Sequence, residues 1–281
     1  MKHFLIYTNH HKDADGAITK RISDYLTKKG HKCTEVTDKN GAVPAREEIP
    51  KDAYCMLVLG GDGTILQAAR DTKQWHIPLI GVNLGTLGYM PEIEINGLEE
   101  ALDKIIAGEF QIESRMMLNG HVYGRHQEVK EDWALNDIVI SRCGSLHIIK
   151  LKVYVNGQFL NEYSADGVIV TTATGSTGYN LSAGGPIVDP KAQLIMLTPI
   201  CPHTLNARSI ILAPEDEIEI EIPEGREGKP QQLEVNFDGT NVISVSTGDR
   251  IRIVKSEKTT QIMKINKVSF LEVLHKKMSD K

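Results

Sequence analysis

Five residues, Gly60-Gly61-Asp62-Gly63-Thr64, carry the strongest chemical signal in this chain. They follow an apolar run, CMLVL at 55–59, that reads as a buried strand, and they open a helix-patterned stretch at 64–70. Glycines in such a run permit positive φ and a close approach of backbone to a ligand. Successive N–H groups at a turn and a helix N-terminus cradle anionic oxygens. Asp62 is out of place in a loop that only holds phosphate, because a carboxylate repels it. It makes sense as an acceptor for the proton of an attacking hydroxyl, or as a metal ligand. A plainer reading also stands, a tight strand-to-helix turn with the aspartate as cap. Neither the lysine-bearing phosphate loop of nucleoside triphosphatases nor the three-glycine dinucleotide fingerprint is present.

A second glycine-rich loop, Asn83-Leu84-Gly85-Thr86-Leu87-Gly88-Tyr89, follows the next strand. Loops at the carboxyl ends of strands line the ligand crevice of open α/β sheets, so two in succession suggest one site. Tyr89 could stack on a base or sit in the core. Further along, a strand ends in Asp166-Gly167 and VIVTT and runs into Ala173-Thr174-Gly175-Ser176-Thr177-Gly178-Tyr179-Asn180-Leu181-Ser182. So many hydroxyls and backbone donors in little space suit recognition of ribose and an adenine edge, although serine- and threonine-rich turns are common in β domains. Asn136-Asp137 interrupts the apolar run WALNDIVIS, and a buried polar pair without partners is costly. That pair is either a bulge or turn, or a binder of ribose hydroxyls. Met116-Met117 reads as core, and His10-His11 and His203 as loop residues.

These residues need a frame. Residues 3–8, 55–59 and 77–82 are strand-like, and 17–29, 64–70 and 98–106 are helix-like. The alternation indicates a parallel sheet flanked by helices. From Met116 the pattern changes to short strands with turn signals, among them LKVYVNGQFL with a hairpin at Asn156-Gly157. The expected fold is an α/β N-terminal domain over 1–115 plus an all-β sandwich over 116–255. The tail, 256–281, is helical at 268–278 and returns to the first domain.

At 281 residues the chain can bury a substantial core, and 41% hydrophobic with 25% charged residues is ordinary globular composition. A net charge of −5 argues against a nucleic-acid partner but not against a small phosphorylated ligand. Cys33, Cys55, Cys143 and Cys201 form no C-x-x-C pair, so buried reduced thiols are expected. No segment approaches the ~20 apolar residues of a membrane helix, and no signal peptide is evident, so a cytoplasmic protein is expected.

Taken in order, these motifs resemble the NAD kinase family along nearly the whole chain. GGDGT alone is shared with diacylglycerol and sphingosine kinases and with phosphofructokinases; NLGTLGY at 83–89, Asn136-Asp137, DGVIVTTATGSTGYNLSAGGPIV at 166–188 and CPHTLNAR at 201–208 add the specificity. The resemblance implies transfer of a phosphoryl group from ATP, with Mg²⁺, to the adenosine ribose 2′-hydroxyl of NAD. It implies that Gly60, Gly61, Gly63 and Thr64 hold the donor phosphates and that Asp62 accepts the hydroxyl proton, with Gly63 beside it against the dinucleotide. Asn136 and Asp137 match the family's Asn-Glu pair, and Asp166 an aspartate on the nicotinamide-ribose side. Thr177, Gly178, Tyr179, Asn180, Leu181 and Ser182 match the adenosine-binding turn. No dedicated protein metal ligands are implied. A homodimer or homotetramer is, with Asp166 of one subunit reaching the NAD of its neighbour. Departures from the family are Asp137 for glutamate, Ala173 for proline, Gly178 for alanine, Tyr89 for phenylalanine and Thr240 for glutamine. Two rival readings are a lipid kinase, which needs an apolar groove, and a non-catalytic NAD(P) sensor, which has no use for Asp62.

Overall fold

The computed structural model describes residues 1–279 except 39, 86, 87, 91, 125–128, 145, 146, 205 and 267. It divides into two units, Met1–Ser114 with Thr260–Lys281, and Arg115–Thr259.

The first unit contains β1 (His3–Thr8), α1 (Ala17–Lys28), β2 (Lys32–Glu35), β3 (Ala53–Gly60), α2 (Asp62–Asp71), β4 (Leu79–Asn83), β5 (Ile93–Glu94) and α3 (Leu98–Ala107). Its parallel sheet runs β2-β1-β3-β4, with β5 beside β4. β1 is buried along its whole length and β3 from Cys55 onward, which is why both read as unbroken apolar runs. α1 buries Ile22 and Leu26 against the sheet, with Ile18 and Tyr25 half-buried beside them. Gly30, at φ 81°, closes its C-terminal end. α2 starts at Asp62, a turn-half earlier than its apolar periodicity suggests, because its buried aliphatic residues begin only at Ile65. The core joins Phe4, Ile6, Leu57, Leu59, Ile80 and Val82 of the sheet to Leu98, Leu102 and Ile105 of α3.

The second unit takes in most of β6 (Gln111–Tyr123), then β7 (Val129–Ala134), β8 (Asp137–Arg142), β9 (Ile149–Val155), β10 (Gln158–Ala165), β11 (Gly167–Thr172), the single turn α4 (Tyr179–Ser182), β12 (Ile195–Ile200), β13 (Ile210–Leu212), β14 (Ile218–Glu221), β15 (Gln232–Phe237), β16 (Asn241–Ser246) and most of β17 (Arg250–Lys264). One antiparallel sheet runs β10-β9-β14-β17 and the other β13-β12-β11-β8-β15-β16. Leu151 and Val153 of one and Val168, Val170, Leu197 and Val235 of the other share a single core, so the sheets form a sandwich. Asn156 (φ 51°) and Gly157 (φ 75°) make the predicted hairpin turn between β9 and β10.

The end of β17 belongs to the first unit, where Ile262 pairs in parallel with Leu79, and the tail closes in α5 (Phe270–Ser279). An α/β unit with a returning tail, and a sheet-rich sandwich unit, are the fold class expected. The thiols correct one expectation: only Cys55 is buried, Cys33 and Cys143 are half-buried and Cys201 is exposed. Met116 and Met117 are core residues, as read.

Candidate active site

In the first unit the two glycine loops hold each other. The Leu84 N–H donates to the Gly60 carbonyl (3.1 Å), while Tyr89 and Met90 donate their N–H groups to separate Asp62 oxygens at 3.0 and 2.9 Å. Asp62 therefore does not cap α2. Its carboxylate points to the neighbouring loop and is fixed there by two backbone donors. Both loops leave the carboxyl ends of adjacent strands, β3 and β4, where ligands of such sheets bind.

The glycines act differently from expectation. Gly60, Gly61 and Gly63 are absent from the positive-φ residues. Gly60 is required by contact: a β-carbon there would stand 2.1 Å from Thr64 Oγ1. At Gly63 a β-carbon would meet no atom within 4 Å, so the space is open to a ligand. Thr64 is buried, and its Oγ1 accepts from Asn9 Nδ2 (3.1 Å), so its hydroxyl serves the loop itself. Tyr89 turns its ring to α5, with Phe270 6.3 Å away and Lys277 Nζ 4.4 Å over the ring. It is thus partly covered rather than free to stack on a base. Thr86 and Leu87 of the same loop lie outside the described residues.

In the second unit the site is built around a corner between β7 and β8. Asp238, in the turn after β15, lies in the left-handed region (φ 48°). Its carboxylate takes the N–H groups of Leu135 (2.8 Å), Asn136 (2.8 Å) and Asp137 (3.1 Å). From β11, Thr172 Oγ1 donates to the Leu135 carbonyl (2.7 Å) and Thr171 Oγ1 to the Asn136 carbonyl (2.9 Å). The corner backbone is satisfied on every side, leaving the two side chains to act. Asn136 Oδ1 is buried with no hydrogen-bond partner. Asp137 is buried, and burial first, then the charge of Asp238, pushes its carboxyl from 3.8 up to about 7. Sequence reasoning missed Asp238, whose partners lie about a hundred positions earlier; its one local signal is Asp-Gly as a turn pair.

The hydroxyl-rich loop is more ordered than a turn. Thr174–Thr177 form a short 3₁₀ helix, and α4 follows at once. Gly175 lies against the corner, where a β-carbon would approach the Asn136 carbonyl to 2.6 Å, and a β-carbon on Gly178 would lie 3.4 Å from Asn136 Nδ2. Thr177 and Gly178 are half-buried, and Tyr179 (46% exposed), Leu181 and Ser182 face solvent, so Tyr179 is no core residue. Asn180 differs from the expectation of a ligand contact. It is wholly buried, donating Nδ2 to the Ser176 and Pro186 carbonyls and accepting from Thr198 Oγ1 at 2.7 Å. Its side chain is fully engaged in holding the turn. Asp166 pairs with Arg142 through Nε–Oδ1 at 3.0 Å, a partner not singled out in the sequence.

Two glycine loops thus clasp one carboxylate at the carboxyl ends of a parallel sheet. Comparison with known proteins specifies the class. Residues 7–110 match the ATP-NAD kinase N-terminal domain and residues 135–265 the ATP-NAD kinase C-terminal domain. The chain is 45% identical over 293 residues to the NAD kinase of Lachnospira eligens, covering 99% of this chain and all of that one. It is 47% identical over 284 residues to the NAD kinase of Agathobacter rectalis, covering 100% and 99%. The fold is similar to that of the Archaeoglobus fulgidus NAD kinase solved in complex with ATP (TM-score 0.77, 25% identity, 98% and 99% covered). It is also similar to the yeast NADH kinase solved with NADH (TM-score 0.81, 23% identity, 100% and 88% covered). The chain belongs to the NAD kinase family.

Proposed function

We propose that the protein phosphorylates the adenosine ribose 2′-hydroxyl of NAD from ATP. The observation that carries the reading is the corner at Asn136-Asp137. An orphaned buried carbonyl oxygen there forfeits about 1–3 kcal/mol, and an O–H or N–H donor of a ligand would recover it. The exposed ring of Tyr179 offers a face for adenine, with Thr177, Gly178, Leu181 and Ser182 around it, while Asp166, steadied by Arg142, serves the nicotinamide ribose. Asn180 acts by holding this turn in shape.

The donor phosphates belong to the run Gly60, Gly61, Gly63 and Thr64 in the first unit, at the positive end of α2, where the Thr64 N–H already donates to the Gly61 carbonyl (3.0 Å) and so shapes the loop. Asp62 accepts the proton of the 2′-hydroxyl. The 2′-oxygen forms a bond to the γ-phosphorus, the bond to the bridging oxygen breaks, and ADP leaves with that electron pair. The transition state is loose, so the base is needed late, which suits a carboxylate. Its two backbone bonds leave each oxygen a further lone pair for the hydroxyl. Mg²⁺ would come with the nucleotide, Asp62 being the carboxylate of the glycine run that could hold it, and it would supply charge neutralisation at the transferred group.

The reading includes a cytoplasmic setting, where both substrates are abundant, and a homodimer or homotetramer. Exposed Phe159 and Leu160 on β10 give apolar surface for such pairing. The deciding experiment is incubation of the purified chain with NAD, ATP and Mg²⁺ and detection of NADP. Formation of ADP with a diacylglycerol or sphingoid acceptor instead would replace the reading by the lipid-kinase one, and NAD binding without turnover by the sensor.

A further inference from the structure

We infer that Lys12 is the cation of the donor-phosphate site, contacting the triphosphate of ATP. The inference rests on the phosphoryl-transfer reading above and adds to it a residue from a third loop, between β1 and α1.

That loop is fastened at both ends. The Asn9 N–H donates to the Leu59 carbonyl (3.1 Å), immediately before the glycine run, and Asn9 Nδ2 reaches Thr64 Oγ1. The Asn9 carbonyl accepts the N–H groups of Lys12 (2.9 Å) and Asp13 (3.0 Å). Asp13, buried, takes the Ile18 N–H (3.1 Å), the Thr19 N–H (2.9 Å) and the Thr19 hydroxyl (2.7 Å) at the start of α1. Lys12 sits between two residues that are held, so its backbone has little freedom while its side chain is exposed.

The ammonium lies over both glycine loops. A β-carbon on Gly61 would be 3.2 Å from Lys12 Nζ, and one on Gly85 3.7 Å from it. Among the described residues no carboxylate pairs with it, so none of them neutralises its charge. The glycine run supplies N–H dipoles but also the negative charge of Asp62, beside an acceptor that must admit a strongly anionic donor. A lysine point charge above the run offsets that repulsion, as a positioned lysine does in other phosphoryl-transfer sites. Glycine at 61 and 85 also leaves the room in which such a side chain swings onto the phosphates.

The test compares the full-length chain with Lys12→Met and Lys12→Arg, by calorimetric titration of ATP in the presence of Mg²⁺ and by steady-state kinetics. Losing one charge-assisted contact should weaken ATP binding and raise KM for ATP ~10- to 100-fold in the methionine variant. KM for NAD should stay within about 3-fold and the melting temperature should not move, since Lys12 is exposed. Arginine should restore part of the loss. Unchanged ATP affinity in Lys12→Met, an equal rise of both KM values with a lowered melting temperature, or a wild type that binds no ATP would each overturn the inference. A wild type that binds ATP but leaves NAD unphosphorylated would refute the functional reading alone, because the ATP titration still decides the role of Lys12.

Discussion

Asp137 should make the protein lose stability as the pH rises through neutrality, and Asp137→Asn isolates the effect. The carboxyl is buried beside Asp238, and its titration moves from 3.8 to about 7. The unfolded chain releases this proton near 3.8, whereas the folded chain keeps it until about 7. In that window the folded state binds more protons, so stability falls with rising pH. Between pH 5 and pH 8 the loss from this group is about 3 kcal/mol, at about 1.4 kcal/mol for each tenfold change in proton activity. Asparagine cannot ionise and escapes the loss. The unfolding free energy of Asp137→Asn minus that of wild type should therefore grow by about 3 kcal/mol from pH 5 to pH 8 and level off above it. With a urea slope of about 1–3 kcal/mol/M, the difference between the two midpoints should change by about 1–3 M. Urea titrations at half-unit pH steps measure it, and groups common to both proteins cancel in the difference. Asp238→Asn supplies a control. It removes the second cause and leaves burial, so the midpoint of the pH dependence should move down without reaching that of a free aspartate. A difference between wild type and Asp137→Asn that is flat from pH 5 to pH 8 refutes the reasoning.

Three other outcomes test the site. Asp62→Asn keeps one oxygen for two backbone donors and loses the base, so kcat should fall ~10²–10⁴-fold with KM for NAD within a few-fold; near-normal turnover would remove Asp62 from its role. Gly60→Ala puts a methyl 2.1 Å from Thr64 Oγ1 and 2.4 Å from its Cβ, so a thermal melt should show a loss of about 1–3 kcal/mol, and unchanged stability would mean that the loop tolerates the methyl. Tyr179→Ala, at an exposed position, should leave stability within about 0.5 kcal/mol while weakening NAD binding by about 1–3 kcal/mol in a calorimetric titration. Unchanged affinity there would free the ring of its assignment.

What the sequence reveals divides by the range of the interactions involved. β3, the glycine run and α2 are contiguous, and the Asn156-Gly157 hairpin needs only its own two φ angles, so both are legible in a short window. The reasons behind individual residues are not. Gly60 is explained by the Thr64 hydroxyl one helical turn on, and not by a positive φ. Asn180 looks like a recognition group in a hydroxyl-rich turn, yet Thr198 on β12 and the Pro186 carbonyl engage its amide. Tyr89 looks free until α5, from the far end of the chain, covers part of it. Asp238 acts from about a hundred positions away. One carboxylate satisfies three backbone donors of the corner and, by standing beside Asp137, adds to the burial that raises that neighbour's titration. Both effects follow from placing a charge where two strands meet, and neither leaves a trace in the spacing of nearby residues. The identity of Asp137 and its strength as an acid are therefore separate pieces of information. The first is written at position 137, and the second is set first by burial in the sandwich and then by the charge in a turn between two strands a hundred residues later.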